Sequence, residues 1–102
     1  MPLSIVQVPH PAEAFAQAMG TANEDERRLV QRLAVQMLRK LRMNRGKNLT
    51  RHWLEYAPSE LMGLAYLEME ELQTALVDRV DVEGEAADVA NFVGMILDVT
   101  AR

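Results

Sequence analysis

Three stretches of this chain space their apolar residues three and four apart, and no stretch sustains a strand-like alternation. That period is the signature of amphipathic α-helices and argues against a sheet. The first stretch carries Leu29, Leu33, Met37 and Leu41, with Val30, Ala34 and Leu38 beside them. It opens at Asn23, whose partner Glu26 completes an N-cap box. Its last turns are basic (Arg39, Lys40, Arg42, Arg45), which complements the negative pole of a helix, and Gly46 ends it. A second helix is expected over 61–77, with Ser59 as its N-cap after Pro58. A charged turn, 78–84, leads to a third helix over 85–99. Residues 1–22 hold Pro2, Pro9 and Pro11 and read as an arm with one short helix, 11–19, started by Pro11 and stopped by Gly20. The expected fold is all-α, with three main helices per chain in a single helical domain, 23–102.

At 102 residues there is room for one domain. A chain this short buries a modest share of its surface, so oligomerisation is a natural source of further burial. The absence of cysteine excludes disulfides and thiolate metal sites and suits a reducing cytosol. Residues 1–10 lack the basic start and apolar run of a secretory signal. No apolar run approaches the ~20 residues that cross a bilayer. A soluble, cytoplasmic protein with no membrane partner is expected. The net charge of −4 hides an asymmetry: nine of eleven basic residues fall between Arg27 and Arg51, and eleven of fifteen acidic ones follow residue 52. The two halves can pair within the chain, pair between subunits, or join in one site where acids hold a cation and bases receive an anion.

Four acids favour the last option. On a helical wheel Leu61, Leu64, Ala65, Met69, Leu72, Ala75 and Leu76 form one stripe, with Glu68 inside it and Glu71 at its edge. In the third helix Val89, Phe92, Val93, Ile96 and Val99 define the inner face; Glu85 and Asp88 project toward it, with Asn91 at its border. Glu70, Glu83 and Asp98 point the other way and are expected in water. Burying ionised carboxylates costs several kcal/mol each without a counter-charge, and crowding them raises their pKa values. A hard divalent cation resolves both problems, and oxygen-only ligands suit magnesium or manganese rather than zinc. The plain alternative is a wet seam between helices or subunits. A di-iron bundle would need Glu-x-x-His motifs, which His10 and His52 do not supply.

The run Glu68-Met69-Glu70-Glu71-Leu72, followed at Glu85 by Glu85-Ala86-Ala87-Asp88-Val89-Ala90-Asn91-Phe92, resembles the paired Glu-x-x-Glu and Glu-x-x-Asp motif of the MazG-like, all-α nucleoside triphosphate pyrophosphohydrolases. The likeness spans about residues 29–100 and extends to the basic connector with Trp53. It implies cleavage between the α- and β-phosphates of a (deoxy)nucleoside triphosphate, giving monophosphate and pyrophosphate. It also implies Mg2+ on Glu68, Glu71, Glu85 and Asp88, and a homodimer or homotetramer in which helices of two chains complete a four-helix-bundle-like core. Where many relatives carry a further acid before the first motif glutamate, this chain has Leu67.

Phosphoryl transfer needs charge neutralisation and in-line positioning more than covalent chemistry, and a divalent ion also acidifies water. Glu68 or Glu71 is the candidate catalytic base. Lys47 and Arg51 are the candidate phosphate contacts, with Lys40 behind them; the alternative is that the basic run only caps a helix. Trp53 is placed to stack on a base or to anchor packing. Asn91 is a candidate for a sugar or for a water on the ion. Two other functions remain open: a non-catalytic helical interaction protein, and a nucleotide or metal sensor on the same fold. Overall acidity argues against nucleic acid as partner.

Overall fold

The computed structural model describes residues 10–45, 47, 49 and 51–101. Pro2, Pro9 and the expected helix stop Gly46 lie outside the described residues. Those described form four α-helices: α1 (Pro11–Thr21), α2 (Glu24–Met43), α3 (Pro58–Asp78) and α4 (Val82–Thr100), with a 3-10 turn at Trp53–Glu55. The all-α expectation holds, and the arm's short helix stands as a fourth beside the three main ones. None of the four is long and apolar enough to cross a membrane. Two compact units divide the chain, Met1–Gln31 and Arg32–Arg102.

In the first unit, Pro11 occupies the first turn of α1 and His10 Nδ1 accepts from the Ala12 amide at 3.2 Å. Gly20 does not stop α1, which runs to Thr21. The N-cap box of α2 is formed as expected: Asn23 Oδ1 accepts from Glu26 N, and Glu26 Oε1 from Asn23 N, both at 2.8 Å.

In the second unit α4 contacts both α3 and the 3-10 turn. Leu61, Ala65 and Phe92 form the buried core, with Trp53, Tyr56, Met95 and Ile96 packed against it. The part of α2 in this unit is tied to α4 by polar contacts: Glu83 accepts from Arg32 and, at 3.2 Å, from Gln36 Nε2. Asn91 Nδ2 donates to the Met37 carbonyl at 3.1 Å.

Several boundaries differ from the sequence reading. Helix α3 starts with Pro58 at its first position, so Ser59 is not the cap; Glu60 Oε1 instead accepts from the Ala57 amide at 2.8 Å. Helix α4 begins at Val82, three residues early, because Asp81 caps it by accepting from the Gly84 amide at 3.3 Å. The tight turn before it uses left-handed conformations at Arg79 (φ 58°) and Asp81 (φ 49°). A Cβ at Gly84 would collide with the capping Asp81 carboxylate, so glycine is what lets the cap close one residue before Glu85. The buried line of α4 is Gly84, Ala87, Asn91 and Phe92, and Val93 is exposed. Small side chains there admit close neighbours on two sides, a demand that a one-sided wheel does not include.

Candidate metal centre

Helix α3 delivers Glu68 and Glu71 one turn apart, and α4 delivers Glu85 and Asp88 in the same way. Because the two helices pack against each other, the pairs meet. Oxygen atoms of Glu68, Glu85 and Asp88 lie within 4.8 Å of one another, all three side chains being half-buried. Glu71 is more exposed and borders this trio, close enough to raise the pKa of both Glu68 and Glu85. Glu70 points away and is exposed, as the wheel requires. Glu83 and Asp98, expected in open water, are half-buried and engaged: Glu83 with Arg32 and Gln36, Asp98 as acceptor for Trp53 Nε1 at 2.8 Å.

The electrostatics record the crowding. Burial, then Glu71 and the other two acids, pushes the Glu68 carboxyl up to about 7. Burial raises Glu85 as well, reinforced by Glu71 and Asp88. Asp88 is raised by burial, against the opposing pull of Lys40, whose Nζ lies 3.3 Å from Asp88 Oδ2. Both partners of that pair are well covered, with side chains 14% and 13% exposed. Three negative side chains therefore share one local cation.

The donor set fits a hard divalent ion. Glu68 Oε2 and Glu85 Oε2 are buried without a hydrogen-bond partner, an arrangement that costs about 1–3 kcal/mol per atom unless something else satisfies it. Six-coordinate Mg2+ holds oxygens at about 2.0–2.1 Å, which places ligands up to ~4 Å apart. The observed oxygens, within 4.8 Å of one another, lie close to that spacing. Nitrogen and sulfur ligands are absent from the cluster, which disfavours zinc.

Beside the acids opens a cavity of about 920 Å³, whose wall includes Asp88. Its apolar side is formed by Leu38, Leu41, Trp53, Phe92 and Met95, and its basic side by Lys40, Arg42, Arg45 and Arg51. Of the residues expected to bind substrate, Arg51, Trp53 and Asn91 line this cavity, whereas Lys47 is exposed and does not. Arg51 stacks over the Tyr56 ring at 4.1 Å and pairs with Glu60 at 3.4 Å, so it comes to the cavity already oriented. Trp53 packs on the core, and its indole N–H is taken by Asp98. It therefore anchors the fold while its ring forms part of the wall. Lys40, ranked behind Lys47 by sequence, is the lysine that reaches the acids. The signal was its spacing from Met37, which puts both one turn apart on the α2 face that meets α4. Arg42, Arg45 and His52 were not singled out, since position in a basic run says nothing about which members face inward. No protein-family model matches the chain, and neither does any curated protein or solved structure, so its own geometry carries the functional reading.

Proposed function

We propose that this chain is a Mg2+-dependent, MazG-like nucleotide pyrophosphohydrolase that converts a (deoxy)nucleoside triphosphate to monophosphate and pyrophosphate. The observation that carries the reading is the convergence of Glu68, Glu85 and Asp88, bordered by Glu71, beside a cavity lined with cations. Glu68, Glu71, Glu85 and Asp88 would hold Mg2+, with Mn2+ as a substitute. The ion supplies charge neutralisation at the phosphates and acidifies an attacking water. The chain's own residues do the rest. Lys40, Arg42, Arg45 and Arg51 attract and orient the polyphosphate. Glu68 or exposed Glu71 would take the proton of the attacking water. The cytoplasm, where Mg2+ and nucleoside triphosphates abound, is the compartment this chemistry suits.

The same reading includes self-association. Among the described residues five hydrophobic side chains are buried, while sixteen large ones are exposed, too small a core for helices of this length. On α3 the exposed Met62, Tyr66, Met69 and Leu76 follow steps of four, three and seven, the seam of a helix that packs against another helix. A second copy of the chain, presenting the same seam, completes a four-helix bundle as a homodimer or homotetramer.

The test is pyrophosphate release from a panel of nucleoside triphosphates with and without Mg2+. Release is expected only with the ion, and Glu71→Gln or Asp88→Asn is expected to lower it by at least about 100-fold while the protein stays folded. Failure to turn over any nucleotide, with or without Mg2+ or Mn2+, would leave the non-catalytic sensor or interaction protein as the better account.

A further inference from the structure

The chain has two lysines, Lys40 and Lys47, and the fold treats them in opposite ways. Lys47 is exposed, whereas the Lys40 ammonium lies 3.3 Å from Asp88 Oδ2 with both side chains largely covered. Its charge also reaches Glu85, whose carboxyl it draws down against burial and the neighbouring acids. Glu68 is pushed only upward, by burial and the other three acids. One monovalent cation therefore stands at the Asp88 side of the cluster, while buried oxygens of Glu68 and Glu85 stay unmatched.

A divalent ion entering among these acids meets that ammonium. Oxygens of Glu68, Glu85 and Asp88 lie within 4.8 Å of one another, and Mg2+ binds carboxylates at about 2.0–2.1 Å. An ion on Asp88 thus comes within a few ångström of Lys40 Nζ, where two cations repel and burial weakens the screening between them. Helix α2 is held in place at this point. One turn before Lys40, the Met37 carbonyl accepts from Asn91 Nδ2 at 3.1 Å, which pins α2 to α4. The side chain is what gives way. Lysine carries its charge on a flexible aliphatic stem, and Lys40 lines the adjoining cavity together with Asp88, so the ammonium has open space to turn into.

We propose that Lys40 is the resident counter-ion of the metal centre: it neutralises Asp88 before the ion enters, competes with the ion for that carboxylate, and is turned out into the cavity when the ion binds. The inference rests on the metal reading and goes beyond it. It makes one side chain a brake on metal loading and, once released, an added positive charge facing the cavity. Competition and support have opposite signs. A lysine that only positioned Asp88 would help the ion to bind, whereas a competitor weakens its binding.

Titration of Mg2+ alone into the full chain, at pH 8 and low ionic strength, separates the two by calorimetry. Lys40→Met keeps most of the side chain's bulk and removes its charge. It is expected to bind Mg2+ about tenfold more tightly than the wild type, and Lys40→Arg, which restores the charge, to bind like the wild type. Acetylation by an amine-reactive reagent, read residue by residue in a mass spectrometer, gives a second measurement that needs no variant. Lys40 is expected to react faster in Mg2+ than in chelator, with exposed Lys47 as the internal control that does not change. Mg2+ binding that Lys40→Met weakens or leaves unchanged overturns the proposal. So does a Lys40 whose reactivity stays the same while Mg2+ binds, and this series decides by itself if Lys40→Met fails to fold. Binding of Mg2+ to neither form would sink the metal reading and this inference together. Binding to both forms with no gain in Lys40→Met would sink this inference and spare the metal reading.

Discussion

Glu68 carries the sharpest consequence at the scale of single residues. Its carboxyl titrates near 4.5 in an unfolded chain and near 7 in the folded one. Between those values the folded chain keeps a proton that the unfolded chain has released, so stability falls as pH rises through the window, and the penalty is complete above about 7. In chelator, urea unfolding at pH 4.5 and 7.5 is expected to show a loss on the order of 1–2 kcal/mol, after allowance for solvent screening. Glu68→Gln is expected to flatten that slope, and Mg2+ to offset the loss in the wild type. Lys40 gives a second prediction. Removing it as Lys40→Met leaves Asp88 without its local cation, which is expected to cost on the order of 1–3 kcal/mol in chelator. The same substitution should cost clearly less in Mg2+, and an equal cost in both conditions would show that the ion does not reach Asp88. The carboxylates were legible in the sequence because they interrupt apolar stripes at helical spacing. The basic partners were not, because Lys40, Arg42, Arg45 and Lys47 differ only in where the end of α2 and the following turn aim them.

At the scale of elements, the long periods of α2, α3 and α4 were readable and the ends were less so. Periodicity reports the middle of a helix, where packing fixes the phase. Starts depend on which side chain reaches back to a free amide, and Glu60 and Asp81 perform that task ahead of the residues that composition favours. Gly84→Ala forces the Asp81 carboxylate out of the α4 N-terminus and is expected to destabilise by about 1–2 kcal/mol, a thermal shift of several degrees. Differential scanning fluorimetry reads it, and an unchanged midpoint would mean that the Asp81 cap contributes nothing. The exposed seam of α3 makes a separate prediction. Tyr66 is 66% exposed and Leu76 57%, so Tyr66→Glu and Leu76→Glu leave the chain's own core intact. Sedimentation equilibrium is expected to show an oligomer for the wild type and a monomer for the double variant. A monomeric wild type at tens of micromolar would remove the self-association account.

For the whole molecule, the charge asymmetry of the sequence resolves into contact. The basic end of α2 meets the acidic start of α4, where Lys40 touches Asp88 and three arginines line the adjoining cavity. Of the ways that opposite halves of a chain can combine, this arrangement pairs them within one unit and still leaves buried carboxylate oxygens unmatched. The proposed catalysis depends on those oxygens taking up a divalent cation. Isothermal titration of Mg2+ into the full chain at pH 7.5 measures it directly. The account predicts saturable binding that Asp88→Asn abolishes without unfolding the protein; a wild-type chain that shows neither binding heat nor a rise in melting temperature at millimolar Mg2+ would contradict it.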